Sequence, residues 1–258
     1  MENRQRIVIR IGQSSLSFSM TKAEGVEYVP YSLNASISMA ANLREALKQQ
    51  EDRPTRAQVM VDAPVLMMPV DLFREDEKES LYQHTFSKQD QRTIMHSVLP
   101  DLNSVAVFSI QKDLCNVLRD AFEEVTYIPA MAPVWRHLHK RSYTGQHQKL
   151  YAYFHEHHME VFAFAQNRFK FCNSYAVNNP NDALYYMLAV WKQLAMVPEH
   201  DELHLVGDLP EQELLTEEAK KFVKRVFYIN PSGEFNRAAV TQIAGMPYDL
   251  MTLFVKGR

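Results

Sequence analysis

Three histidines in the stretch HEHH, residues 155–158, have the type and spacing that most directly suggest metal chemistry. His155 and His157 are two residues apart, and on an extended strand such residues share one face. With His158 and the Glu156 carboxylate nearby, they could ligate a transition metal. A solvated turn is the interpretation we favour, because the stretch has no neighbouring cysteine and no helical H-E-x-x-H motif. We therefore expect no metal, and these histidines are the candidate ligands if one binds.

A second polar set lies in IRIGQSSLSFS, residues 9–19, where an apolar strand enters a small polar turn and leaves it again. Ser14 and Ser15 could suggest a nucleophile, but they lack a G-x-S-x-G frame and an assignable base. The chain has only 7 glycines in 258 residues, against an average of roughly 7%. Since phosphate-binding loops need glycine where the backbone approaches the anion, few such loops can form.

Composition excludes several classes of protein. The net charge is −3, so no general attraction to nucleic acid or to an anionic membrane is expected. The longest apolar runs fall far short of the roughly 20 residues that span a bilayer, and the first ten residues do not resemble a secretion signal. The two cysteines, Cys115 and Cys172, lie in apolar segments typical of buried reduced thiols. The sequence predicts a cytoplasmic protein without nucleic-acid binding or membrane insertion.

The elements that position these residues occur twice along the chain. When the sequence is compared with itself at an offset of 143 residues, 7–20 aligns with 150–163, and both read as a hairpin. A third strand follows in each half, then a helix that Ser38 or Asn181 could cap, then a short buried strand. This order predicts an internal duplication of α/β units with mixed sheets.

The remaining segments suggest where the halves differ and where they join. We expect residues 1–145 to form a first lobe, with an inserted segment at about 64–104, and 146–258 to form a second lobe. Within the insert, residues 71–86 read as a helix at their acidic start. In the second half, residues 234–245 predict a helix that ends at Gly245 and Pro247.

Two tandem units of hairpin, strand, helix, strand, helix, strand and helix resemble the two halves of the actin-like (ribonuclease H-like) ATPase fold. The chain is similar to a bacterial family of unknown function assigned to that fold. It more distantly resembles the actin-like proteins of pilus and secretion-platform assembly. This resemblance implies two mixed-sheet lobes with a cleft between them.

The resemblance also implies which residues belong to the nucleotide loops. Gly12, Gln13, Ser14 and Ser15 align with the first phosphate hairpin, and Gly207 is what remains of the glycine-rich adenosine loop. Arg10 replaces the aspartate that organises magnesium in nucleotide-binding members, and an arginine cannot hold that ion.

The second phosphate hairpin of the superfamily should contain an aspartate, a glycine and a threonine or serine, and residues 153–158 depart from this pattern. We therefore expect no cofactor and no catalysis. The prediction is a pseudo-ATPase whose cleft or inserted segment binds another protein, and a homo-oligomer is compatible with the sequence. Residues 64–73, PVLMMPVDLF, are an apolar candidate contact, and REDEKE, residues 74–79, could be an acidic docking patch or simply a charged helix face in water.

The alternative is an atypical actin-like ATPase or small-molecule kinase that binds ATP and magnesium and grips phosphate through residues 10–15.

Overall fold

The residues described by the computed structural model of the chain are 6–50, 53–86, 91–142, 147–166 and 168–255. They form two compact units, Met1–Pro133 and Val134–Arg258. The predicted lobe boundary, between residues 145 and 146, lies outside the described residues, and that division stays a prediction.

The strands, in chain order, are β1 (Ile7–Ile11), β2 (Leu16–Lys22), β3 (Gly25–Tyr31), β4 (Arg56–Val61), β5 (Leu66–Pro69), β6 (Arg92–Leu99), β7 (Ser104–Gln111), β8 (Glu124–Pro129), β9 (Lys149–His155), β10 (His158–Ala165), β11 (Arg168–Ala176), β12 (Glu202–Gly207) and β13 (Val226–Tyr228). The helices are α1 (Met39–Lys48), α2 (Lys78–Phe86), α3 (Lys112–Ala121), α4 (Ala132–Ser142), α5 (Pro180–Gln193), α6 (Gln212–Lys220), α7 (Pro231–Glu234) and α8 (Tyr248–Phe254). Among the described residues, every helix is too short or too polar to cross a lipid bilayer.

The first unit is built on a five-stranded mixed sheet in the order β3-β2-β1-β4-β8. The strands β1, β2 and β3 are antiparallel, and β4 and β8 run parallel to β1. Ile7, Ile9 and Ile11 alternate along β1 and pack in one core with apolar residues of α1 and α3. Ser38 caps α1 as predicted, because its side chain accepts a hydrogen bond of 3.2 Å from the Ala41 amide.

The second unit repeats this arrangement in a sheet ordered β11-β10-β9-β12-β13. Leu150, Ala152 and Phe154 alternate along β9 and pack against α5 and α6. The predicted order of hairpin, third strand, helix and parallel strand is thus present in both units. The mixed sheets, their strand order and their duplication confirm the predicted actin-like fold class.

An insert of three antiparallel strands, ordered β5-β7-β6, lies between β4 and α3 in the first unit. Its strand β7 contributes to two cores: Val105 and Val107 pack toward Tyr82 of α2. Phe108 and Ile110 pack in the main core of the unit. Strand β7 therefore joins the core of the insert to the main core of the first unit.

Three helix predictions are corrected by the structure. The acidic residues Glu75, Asp76 and Glu77 precede α2, which begins only at Lys78, and the region also holds the strands β5 and β6. The helix predicted over 234–245 does not form, because Asn236 and Arg237 have left-handed φ angles of 50° and 56° that interrupt helical bonding.

The cap of α5 was also predicted two residues too late. Asn179, not Asn181, accepts the bond from the Asp182 amide, at 3.0 Å. Pro180 then occupies the first turn, where the missing N–H costs nothing.

Candidate functional site

The first hairpin turn, residues 12–15, is closed by its own hydrogen bonds. The Gly12 amide donates to the Ser15 carbonyl at 2.9 Å, and the Arg10 guanidinium donates through Nη1 to Ser15 Oγ at 2.8 Å. Gln13 and Ser14 are exposed, whereas Arg10 is only 3% exposed. A positive charge beside this turn favours an anion and repels a divalent cation.

The second hairpin turn contains only two residues, Glu156 and His157, with φ angles of 44° and 62°. His155 and His158 are cross-strand partners on either side of it. Two left-handed residues between paired strands are typical of a type I′ turn. The turn ends the extended strand at His155, so the expected sharing of one face by His155 and His157 does not arise.

The three histidines have different surroundings. His155 is buried and its ring stacks on Tyr153 at 4.8 Å, whereas His157 is exposed on the turn. His158 Nδ1 lies 3.0 Å from the Glu156 carbonyl, to which it donates. Within either unit taken alone, the described chain holds no three His, Cys, Asp or Glu side chains with ligand atoms all within 4.8 Å.

Gly207, predicted as a remnant of an adenosine loop, has a packing role at the end of β12. Its φ is +93°, and a Cβ atom there would lie 2.2 Å from the Phe154 carbonyl and 2.9 Å from the Tyr153 ring. The next amide, of Asp208, donates to the same carbonyl at 2.9 Å. Glycine is therefore required here by the close approach of β9 and β12, whatever else the loop does.

The most prominent surface feature of the first unit lies on the insert. Val70, Leu72 and Val98 are 41%, 65% and 51% exposed, and we call them the insert patch. Pro69 and Leu99 both pair with Ser104 of β7. Val70 and Val98, their neighbours in sequence, therefore lie toward the same end of the inserted sheet.

The turn that carries part of the insert patch is held by backbone bonds. The Val70 amide donates to the Asn103 carbonyl at 3.2 Å, and the Leu72 amide to the Pro69 carbonyl at 3.1 Å. Arg74 and the acidic residues Glu75, Asp76 and Glu77 that follow are exposed, and Lys78 forms an ion pair of 3.3 Å with Glu75. The patch thus combines apolar side chains with a negatively charged border.

The sequence predicted two of the three residues of this patch. Residues 64–73 were predicted as a contact segment, and they contain Val70 and Leu72. Val98 was missed, since its surroundings read as a charged connection. The stretch RTIMHSVL, residues 92–99, does carry β-branched residues typical of a strand, and that was the available signal.

Comparison with known proteins agrees with the fold. A protein from Bacteroides thetaiotaomicron, described as having an actin-like ATPase fold and unknown function, is 26% identical. The match covers 98% of this chain and 96% of that one, with a TM-score of 0.84. The structure of the PilM-PilN type IV pilus biogenesis complex contains a chain that is 11% identical, with 97% of each chain covered and a TM-score of 0.60.

No curated protein matches the chain. The family model described as "Protein of unknown function (DUF3822)" matches residues 2–226. Because this match spans most of the chain, the protein belongs to that family.

Proposed function

We propose that this protein is a non-catalytic actin-like scaffold that binds another protein through the insert patch. The observation that carries the proposal is the exposure of Val70, Leu72 and Val98 at one end of the inserted sheet. Exposed large apolar side chains that occur together commonly mark a protein interaction site. The second unit has no corresponding insert between β12 and α6.

The border of the patch indicates the chemistry of the partner. Glu75, Asp76 and Glu77 are exposed beside the apolar residues. A complementary surface would present apolar side chains flanked by lysine or arginine, because opposite charges at the rim steer association. We therefore expect binding that weakens as salt is added.

The hairpin turns favour binding over hydrolysis. Hydrolysis of ATP requires a metal ion and a positioned water. The Gly12 amide is engaged by Ser15, and Arg10 stands where a carboxylate would organise magnesium. The PilM-PilN complex supplies an analogy, because a chain of this fold was solved there in a complex with another protein.

We place this function in the cytoplasm. Cys115 and Cys172 are free thiols, and reducing compartments preserve such thiols.

The test is affinity capture with two matched triple variants. The patch variant changes Val70, Leu72 and Val98 to Asp, and the control variant changes Tyr185, Val197 and Leu214, which are exposed residues of the second unit, to Asp. We expect the unmodified protein and the control variant to retain the same captured protein. The patch variant should no longer capture this partner protein, and high salt should weaken its capture by the unmodified protein.

Three results would contradict the proposal: equal capture by both variants, capture of only a second copy of this chain, and micromolar binding of ATP with magnesium by calorimetry. The last result would support the alternative of an atypical ATPase or kinase that uses residues 10–15.

A further inference from the structure

The second unit contains a cavity of about 790 Å³ on the face of its sheet that is opposite to the core with α5 and α6. Its volume is in the range of pockets that hold small molecules, about 300–1,000 Å³. The walls come from α4, from the first halves of β9 and β12, from β13 and from the segment after it. Apart from β13 and the segment that follows it, these segments are separated from one another in the sequence.

The cavity lies away from the hairpin turn of this unit. Lys149 and Tyr151 line it from the start of β9, whereas His155 ends that strand. Six residues of extended chain separate Lys149 from His155, which is roughly 20 Å. The lining of the pocket contains none of the residues predicted as nucleotide or metal ligands.

One wall of the cavity is a row of rings that crosses three strands. Tyr151 of β9 and His204 of β12 are cross-strand partners with ring centroids 4.8 Å apart, and His204 and Phe227 of β13 are partners at 5.1 Å. The interplanar angles are 21° and 25°, so the rings stack. Phe227 ends the row and is 43% exposed. A ligand ring could stack on it and extend the row.

Among the lining residues, the two cations Arg141 and Lys149 outnumber the carboxylate of Glu234. Beyond the lining, Glu202 pairs with Arg225, and Asp208 acts electrostatically on Tyr228. Burial lowers the pKa of His204 although its bond to Glu202 opposes this, and burial lowers the pKa of His137 to about 4. Both imidazoles are thus neutral at pH 7, and the positive charge of the lining comes from Arg141 and Lys149.

Lys149 is the lining cation that forms no short ion pair. Its side chain is 12% exposed, and its ammonium lies 3.8 Å from Glu202 Oε2 and 3.4 Å from the Arg141 carbonyl. Glu202 has nearer partners in Arg225, at 2.6 Å, and His204, at 2.9 Å. An ammonium group has three donors, so an anionic ligand could accept from Lys149 without breaking a short ion pair.

We propose that this pocket binds a small aromatic anion, with its ring against Phe227 and its carboxylate or phosphate on Lys149 Nζ. The ring row supplies a stacking surface, and the Lys149 ammonium selects against neutral analogues. This inference concerns the second unit and goes beyond the protein binding proposed for the insert.

Calorimetry and ligand-observed NMR with defined probes test the proposal. Phenylacetate and phenyl phosphate are the two aromatic anions, phenylacetamide is the neutral analogue, and acetate is the anion without a ring. We expect saturable binding of at least one aromatic anion. The affinity for phenylacetamide and for acetate should be lower by about tenfold or more, and each tenfold corresponds to about 1.4 kcal/mol. Comparing phenylacetate with phenyl phosphate distinguishes a carboxylate ligand from a phosphate ligand.

Three variants assign the binding to this pocket. Lys149→Met and Phe227→Leu should each lower the affinity for the anion about tenfold. Lys112→Met, at an exposed position of the first unit, should leave the affinity unchanged. Phe227 is partly exposed, so Phe227→Leu remains usable if Lys149→Met fails to fold. Absence of saturable binding at millimolar anion, equal affinity for phenylacetamide, or affinity unchanged in both pocket variants would overturn the proposal.

Discussion

The hairpins β1–β2 and β9–β10 occupy the same position in sheets of the same strand order, yet their turns are built differently. The first turn has four residues and is closed by Arg10 and the Gly12 amide. The second has two residues, both in left-handed conformations. The comparison teaches that the core-facing residues of each strand set its register, while the turn between strands can change in length and chemistry.

The two units also differ in what connects their parallel strands. Between β12 and β13 the second unit has only α6, whereas the first unit has an insert and then α3 between β4 and β8. The exposed patch is part of that insert, and the aromatic cavity belongs to the second unit. Each unit thus adds a different surface to the same sheet.

The largest effect should come from Gly207→Ala, which tests how closely β9 and β12 must approach. The added Cβ would meet the Phe154 carbonyl, and the residue would keep φ at +93°. We expect a loss of about 3–5 kcal/mol in the free energy of unfolding, from steric overlap and backbone strain together. Urea unfolding measures this loss.

The matched control for Gly207 is Gly245→Ala. Gly245 has φ at +72° but nothing within 4 Å of the added Cβ. The Gly245→Ala variant should lose only about 1 kcal/mol in the free energy of unfolding, from backbone strain alone. Equal losses for the two variants would show that close packing at Gly207 is not what requires glycine.

Acid should destabilise the second unit through His137. Burial, with Arg141 and Lys140 nearby, lowers the pKa of His137 to about 4, from an ordinary value of 6.5, and outweighs the opposing effect of the Glu234 carboxylate, whose Oε1 lies 2.6 Å from His137 Nε2. The unfolded chain therefore binds a proton first, and stability falls as the pH falls from about 6.5 to 4. The separation of the two pKa values corresponds to about 3 kcal/mol.

Tryptophan fluorescence can follow this acid transition, because Trp135 and Trp191 both belong to the second unit. The His137→Gln variant should lose most of the pH dependence between 6.5 and 4. His84→Gln, at an exposed position of the first unit, should keep it. An unchanged pH dependence in His137→Gln would assign the transition to other groups.

Removing one hydroxyl should show whether the insert folds together with the first unit. The buried Tyr82 donates its hydroxyl hydrogen to the Pro64 carbonyl at 2.9 Å and lies 3.2 Å from Ser109 Oγ. Tyr82→Phe should cost about 1 kcal/mol in a single unfolding transition of the first unit, whereas the exposed Tyr185→Phe should cost nothing measurable. A separate early transition would mean that the insert unfolds independently.

The smallest effect concerns the two-residue turn. His157 holds a left-handed φ of 62° and is exposed, so His157→Gly should stabilise the protein by about 0.5–1 kcal/mol. Gln13→Gly in the first turn is the control, because Gln13 is not among the left-handed residues of the described chain. It should give no gain in a thermal unfolding measurement.

Much of the fold followed from local patterns. The apolar runs on either side of a polar turn in residues 7–20 and 150–163 predicted both hairpins, since the strands β1, β9 and β10 are buried along nearly their whole length. The strands β5 and β6 of the insert were not predicted: β6 carries β-branched residues typical of a strand, whereas the four residues of β5 become a strand by pairing with β7. The helix predicted over 234–245 failed where Asn236 and Arg237 turn left-handed.

The candidate site was less predictable than the fold. Val70 and Leu72 lay in a segment singled out from sequence, but the aromatic cavity is assembled from four stretches of the chain that lie between Leu138 and Asn236. His204, Tyr151 and Phe227 become neighbours only through the register of three parallel strands. No spacing rule within one segment could have joined them.

Strand β7 belongs to two cores, and this has a consequence for detecting a partner. Val105 and Val107 support the insert, while Phe108 and Ile110 support the main sheet. A protein that docks at the end of the insert would restrain the whole strand, because its two faces share one backbone. Slower amide hydrogen exchange should therefore extend along β7 into the interior of the first unit, well beyond the residues that the partner touches.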